Sequence, residues 1–196
     1  MANELLSTRY LYALELTAQL FDGRKREVAG MPFVTHLFGV AHIVQQLTDD
    51  EDVHIAALLH DTLEDIPAED YSAEQMQADF GLKILKLVQT VSYDEVRYEK
   101  DESRRQYVRQ LEAGAKEACL ISGADMLHNG RDFIYWYQQN PQALAAAFGG
   151  ERAKRRAWFW HERMAVIESR LGADYSLVRE LHGMFRKLDP IHQKIM

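Results

Sequence analysis

The chain has 196 residues and a formal net charge of -7, with 47 % hydrophobic and 27 % charged residues. That composition excludes a disordered chain, and no apolar run reaches the ~18 residues of a membrane span. The sequence pI near 5.6 argues against general nucleic-acid binding, and the one cysteine, Cys119, excludes an intrachain disulfide.

Apolar residues recur at helical spacing along nearly the whole sequence. Leu5, Leu6, Tyr10, Ala13, Leu14, Leu16, Ala18 and Leu20 predict a first helix. Val34 to Leu47 is a second, with Leu37, Val40, Ala41 and Val44 on one side. Val53 to Leu63 is the most apolar segment and reads as the central buried helix. Ser72 with Gln75 has the form of a capping box and opens a helix to Phe80. Gly81 punctuates, and Leu82 to Val91 continues. Arg104 to Leu111, Lys116 to Leu127, Asp132 to Tyr137, Glu151 to Leu171 and Ser176 to Leu188 complete the set. Period-two alternation is missing, and only 4 Pro and 11 Gly interrupt the chain. The expectation is an all-α helical bundle forming one domain over residues 1–196.

The central segment ends unusually. After Ile55-Ala56-Ala57-Leu58-Leu59 come His60-Asp61-Thr62-Leu63-Glu64-Asp65. On a helix, positions four apart share a face, so His60 stacks over Glu64 and Asp61 over Asp65. An acidic helix end is ordinarily a solvated face. The His-Asp pair directly after five apolar residues sets this one apart, because clustered buried carboxylates repel one another and a cation relieves them. His36 opens the second helix, and Asp125 lies inside the apolar run Cys119 to Asn129. Two histidines and two aspartates form a nitrogen and oxygen donor set without thiolate. That set suits Mn²⁺, Fe²⁺ or Zn²⁺ better than Ca²⁺.

These segments resemble the HD superfamily of metal-dependent phosphohydrolases. They are most similar to the hydrolase domain of RelA/SpoT-type alarmone enzymes and the single-domain small alarmone hydrolases. Gly30-Met31-Pro32-Phe33-Val34-Thr35-His36 resembles the family's G-x-P-Y-x-x-H-P. Ala56 to Asp65 is nearly its A-A-L-L-H-D-T-V-E-D, and Ala124-Asp125-Met126-Leu127-His128-Asn129-Gly130-Arg131-Asp132 its A-D-x-L-H-N-x-R-D. Phe80-Gly81, Leu87-Val88 and Val91-Ser92 fall in order between them, so the resemblance covers about residues 20–135.

The resemblance implies an HD-domain helical bundle that removes the 3′-pyrophosphate of guanosine 3′,5′-bis(diphosphate). It implies His36, His60, Asp61 and Asp125 as ligands of one Mn²⁺. Glu64 and Asp65 match the acidic pair that activates or positions water. Asn129 matches a nucleotide-pocket residue, as does one or more of Arg24, Lys25 and Arg26. The partner is then a small guanine nucleotide, with no nucleic acid or membrane, in the cytoplasm. The roughly 60 residues after Asp132 are too few for a synthetase domain by usual domain sizes, so the expectation is hydrolysis without synthesis. Leu37, Phe33, Ser122 and Tyr93 replace the family's proline, tyrosine and two lysines. The two lost lysines keep open another phosphorylated nucleotide as substrate, or a nucleotide-sensing module without turnover. The remaining features read more plainly. Trp158-Phe159-Trp160 reads as core or a subunit contact, and Lys154-Arg155-Arg156 as a solvated face. His128 reads as a support for the Asp125 segment, and the acidic stretch Asp94 to Glu102 as a loop near the site.

Overall fold

The computed structural model describes residues 6–93 and 99–196, and Leu5 and the stretch 94–98 lie outside them. The described residues form helices throughout, with one isolated bridge between Lys25 and Pro32 as the extended element. The all-α expectation is met. None of the described helices is long and apolar enough to cross a membrane.

In chain order the helices are α1 (Thr8–Leu20), α2 (Val34–Gln45), α3 (Glu51–Leu58), α4 (Thr62–Asp65), α5 (Ala73–Phe80) and α6 (Leu82–Thr90). Then follow α7 (Lys100–Ala113), α8 (Lys116–Gln139), α9 (Pro141–Phe148), α10 (Glu151–Leu171) and α11 (Ser176–Ile195). Local signals set several of these boundaries. Ser72 and Gln75 close the capping box on α5, and Gly81, at φ +89°, turns the chain directly into α6. Asn140 accepts from the Ala143 amide, and Pro141 occupies the first turn of α9.

Four expectations change. The central helix is not continuous: α3 stops at Leu58, and a turn over Leu59, His60 and Asp61 precedes the single turn of α4. Two predicted segments, Lys116 to Leu127 and Asp132 to Tyr137, merge into the one 24-residue α8. Gly130 lies inside this helix, where its lack of a side chain serves packing. A Cβ there would meet Met184 Sδ at 2.4 Å, and one at Gly123 would meet Leu177 Cδ2 at 2.7 Å. α11 therefore lies unusually close along α8. Finally, α9 escaped the periodicity reading, and α11 runs on through Pro190 to Ile195.

α8 is the axis of the fold, with α2, α3, α10 and α11 packed around it. The core comprises Leu37, Val40 and Val44 of α2, Ile55 to Leu59, Ile84 and Val88 of α6, Ile121, Ala124 and Met126 of α8, and Val178, Leu181 and Leu188 of α11. Phe159 and Trp160 are buried as the core reading expects, while Trp158 is exposed. Cys119 is buried too, which suits a small apolar residue.

Candidate active site

Polar side chains from three separate elements meet inside this core. His36 comes from the first turn of α2, behind a tight loop closed by Arg26 N–H to Met31 O and Phe33 N–H to Arg24 O. His60 and Asp61 come from the turn after α3, and Asp125 from the middle of α8. His36 and His60 are almost wholly buried.

One donor atom each from His36, His60 and Asp125 lie within 4.8 Å of one another. His36 Nε2 is 3.4 Å from Asp125 Oδ1 and 3.6 Å from Asp61 Oδ2. His60 Nε2 is 3.3 Å from Asp61 Oδ1 and 3.9 Å from Asp125 Oδ1. Neighbouring groups set the ring orientations. His60 Nδ1 donates to the Ala57 carbonyl at 2.8 Å, which turns Nε2 toward Asp61 and Asp125. That Nε2 is buried and makes no hydrogen bond. His36 Nδ1 is 3.0 Å from His128 Nδ1, so one of the two donates; a His36 proton on Nδ1 frees its Nε2. His128 thus supports His36, rather than the Asp125 segment alone. Gly39 makes room for it, since a Cβ there would meet the His128 ring at 2.4 Å.

Lone pairs facing carboxylates in a buried space form a poor protein core and a good cation cage. Burial pushes the His36 pKa down to about 3, so the ring stays neutral. Burial raises Asp61 to about 6, with the Asp125 charge adding to it and His60 opposing. Burial also opposes ionisation of Asp125, but the Arg163 guanidinium and the two histidines overcome it and hold this carboxyl well below the usual range. The donor set fits a divalent ion: two imidazoles, carboxylates, no thiolate, and an orphaned buried nitrogen among them.

Glu64 and Asp65 sit on α4 beside this cluster. Glu64 Oε1 accepts from the Tyr93 amide at 2.8 Å. Burial and the Asp61 charge push Glu64 well above the usual carboxyl range. Asp65 is raised by burial and pulled back by Arg24, which reaches both its carbonyl and, at 3.9 Å, its carboxylate. Both acids border a cavity of about 1300 Å³ that is also lined by Lys83, Lys86 and Tyr93.

The remaining sequence candidates separate. Arg26 donates to Asn129 Oδ1 and Asp132 Oδ2, each at 2.8 Å, and Asn129 donates on to Asp125 Oδ1. Arg24 is held by Asp65. The Lys25 side chain is exposed, and its backbone forms the bridge to Pro32. Phe33, lacking the family's hydroxyl, stacks on Phe21 at 5.3 Å and meets the His36 ring edge-on.

Sequence reasoning missed Arg163. It enters from α10, is 3 % exposed, and donates to Ser122 Oγ, Ser122 O and Asp125 Oδ2 at 3.1, 2.6 and 2.8 Å. Tyr107 donates to the same Ser122 hydroxyl, and the guanidinium lies over the Tyr107 and Phe159 rings. Position 122 is where the resembling family carries lysine. Here a small serine makes space, and the cation arrives from another helix. The serine was the one available signal, and it did not say which residue compensates. Tyr93, at the other exchanged lysine, packs its ring on Tyr107 and Phe159.

Comparison with known proteins identifies the family. The HD domain family profile matches residues 13–148. A guanosine-3′,5′-bis(diphosphate) 3′-pyrophosphohydrolase, MESH1, of Danio rerio is 36 % identical over 111 residues. That match covers 56 % of this chain and spans 59 % of the relative's length. The like-named Drosophila melanogaster protein is 33 % identical over 170 residues, covering 84 % of this chain and 85 % of its own. A solved structure, of a metazoan ortholog of SpoT that hydrolyzes ppGpp and plays a role in starvation responses, superposes with a TM-score of 0.77 at 28 % identity. The superposition covers 93 % of this chain and 97 % of that one. The matched region contains His36, His60, Asp61, Glu64, Asp65 and Asp125, and the chain belongs to the HD domain family.

Proposed function

We propose that this chain is a metal-dependent pyrophosphohydrolase acting on guanosine 3′,5′-bis(diphosphate), with GDP and pyrophosphate as products, and GTP from the pentaphosphate. The observation that carries the reading is the orphaned His60 Nε2, buried among His36, Asp61 and Asp125 beside two further acids. The names of the relatives support the substrate class. The whole of residues 1–196 would serve as one hydrolase domain. The reading belongs to a cytoplasmic enzyme whose partner is a nucleotide rather than nucleic acid.

His36, His60, Asp61 and Asp125 would hold one divalent ion, with Mn²⁺ first and Fe²⁺ or Zn²⁺ as alternatives. Such an ion, when bound, would supply Lewis acidity and lower the pKa of water. Glu64, fixed by the Tyr93 amide, orients the attacking water and takes its proton. The water oxygen bonds to the phosphorus on the 3′ oxygen, and that P–O bond breaks. The 3′ oxygen leaves with the nucleoside and gains a proton, and pyrophosphate departs. Asp65 works beside Glu64 while Arg24 holds it in place. Arg26 and Asn129, joined to each other, form the nucleotide-facing edge.

The test is product analysis by anion-exchange chromatography with and without Mn²⁺. Metal-dependent release of GDP and pyrophosphate is expected. A Glu64→Ala/Asp65→Ala double variant should lose turnover and keep its metal content. Unchanged turnover in that variant would sink the mechanism, and a better substrate in a nucleotide panel would move the substrate assignment.

A further inference from the structure

Glu64 and Asp65 border a different compartment from the one assigned to the nucleotide. The cavity of about 300 Å³ at Arg26 and Asn129 includes neither acid. Both line the cavity of about 1300 Å³, whose walls come from α4, α6 and the α7–α8 turn. None of the candidate metal ligands lines that larger space, nor does Arg24, Lys25, Arg26 or Asn129. Tyr93 stands at the partition, since it lines the larger cavity and also one of about 640 Å³ on α10. The outer rim of the larger cavity carries the exposed Leu82, Lys86, Gln89 and Ala113. Its walls are tied in place. Gln110 donates to the Gln89 and Ser92 carbonyls at 3.1 and 3.2 Å, and Lys83 pairs with Asp50 and Asp52 at 2.7 and 3.1 Å.

The stereochemistry of phosphoryl transfer gives this division a meaning. Attacking and leaving oxygens lie roughly in line, on opposite faces of the phosphorus. With the nucleoside and its 3′ oxygen on the Arg26–Asn129 side, the nucleophile comes from the face held by Glu64. That face opens into the larger cavity. A water takes up about 30 Å³, so the cavity holds far more than one attacking water. Spaces of about 300–1,000 Å³ receive whole small molecules. The lining also selects among them. Lys86, Gln89, Thr90 and Gln110 offer hydrogen-bonding groups, and Leu82 and Leu87 offer apolar surface. Three acids, Glu64, Asp65 and Glu117, outnumber the two lysines, Lys83 and Lys86, so the lining suits a neutral polyhydroxy compound better than an anion. Such a compound, once bound, stands beside Glu64 at an effective concentration above its bulk value.

We propose that this cavity is an acceptor site, and that the chain transfers the 3′-pyrophosphoryl group to a small polyhydroxy compound as well as to water. The acceptor's hydroxyl oxygen bonds to the phosphorus on the 3′ oxygen, and the bond between that phosphorus and the 3′ oxygen breaks. Glu64 takes the hydroxyl proton, and the 3′ oxygen gains a proton from solvent. The products are GDP and a pyrophosphate monoester. The side from which the nucleophile arrives rests on the hydrolase reading above.

The test adds glycerol to the metal-loaded full-length protein turning over guanosine 3′,5′-bis(diphosphate), with products read by phosphorus NMR. Inorganic pyrophosphate is symmetric and gives a single signal, whereas glyceryl pyrophosphate gives a coupled pair. The ester should exceed, several-fold, the share that glycerol holds among the hydroxyl groups in solution. Ester at or below that share shows that glycerol has no site and overturns the proposal. Lys86→Trp and Ala113→Trp fill the cavity from α6 and from α7, both at exposed positions. Each should lower the ester-to-pyrophosphate ratio by about fivefold or more as the bound acceptor is displaced. The ratio is read within one reaction, so a general loss of activity does not mask it. An unchanged ratio in both variants overturns the proposal; if the nucleotide KM rises there too, the cavity holds the nucleotide. GDP release with pyrophosphate as the sole second product refutes the acceptor site alone. No GDP release with or without glycerol refutes the hydrolase reading and the proposal with it.

Discussion

Replacing Arg163 by methionine separates its charge from its bulk. The side chain makes three hydrogen bonds, one to the Asp125 carboxylate and two to Ser122, all inside the core. Removing one member of a buried ion pair costs about 3–5 kcal/mol, because the partner charge stays behind. The two ring contacts are worth about 1 kcal/mol each and overlap with that figure. Methionine keeps most of the volume, so the expected loss is about 4 kcal/mol, a large share of the ~5–15 kcal/mol that holds a typical domain folded. Urea unfolding reads this as a lower midpoint at unchanged slope. Asp125 Oδ1 faces the two histidines while Oδ2 is tied to Arg163. If Asp125 holds the divalent ion as proposed, untying Oδ2 weakens binding of that ion by about 10–100-fold, the range for lost support of a ligand. Position 122 lies one turn before Asp125 on the same helix, within reach of a lysine placed there. Ser122→Lys combined with Arg163→Met should thus regain much of both losses. A single Arg163→Met variant that loses less than about 1 kcal/mol and binds Mn²⁺ normally would refute the account of how Asp125 is held.

Other consequences are equally open to measurement. Gly39→Ala should cost about 1–3 kcal/mol in thermal denaturation, since its Cβ would strike the His128 ring; Gly183→Ala, whose Cβ meets only Arg186 at 3.6 Å, should be neutral or stabilising. His192 is held at a pKa of about 4 by burial and by the nearby Arg156 and His161 charges, against 6.5 for an unperturbed imidazole. Below pH 6.5 the unfolded chain takes up this proton and the folded one does not, so stability falls as pH drops toward 4, by up to about 3 kcal/mol. His192→Phe, placed among Phe133 and Trp160, should flatten that part of the stability profile. The Cys119 thiol, raised to about 11 by burial, should react with Ellman's reagent at pH 8 about a hundredfold more slowly in the native protein than after unfolding.

The sequence foretold elements wherever the deciding chemistry is local. The Ser72–Gln75 box and the ends of α10 at Glu151 and Leu171 fall where expected. The break at His60 was hidden, because the apolar run from Val53 to Leu59 keeps helical spacing up to the turn. The continuity of α8 was hidden as well, since the role of Gly130 is set by Met184, on a different helix far along the chain. The same division applies to the site. Residues carried by short motifs, such as His60-Asp61 and Glu64-Asp65, are legible as a set. The partners that orient them come from distant segments: Arg163 for Asp125, His128 for His36, and the Tyr93 amide for Glu64. The enclosure of Arg156, in a segment that reads as a solvated face, is hidden in the same way, since its neighbours in sequence include exposed residues and only packing shows it.

The two glycines of α8 act together as a gauge. Gly123 receives Leu177 and Gly130 receives Met184, and each pair is seven residues apart on its own helix. The two seats thus match the two knobs along an axial length of about 10 Å. Sliding α11 by one turn, about 5.4 Å, would press Leu177 toward a residue that has a side chain. Asp125 lies between the two seats. The terminal helix, which contributes none of the candidate ligands, thereby fixes how deep that carboxylate stands in the fold, and substitutions at Leu177 or Met184 reach the metal cage through register rather than through contact.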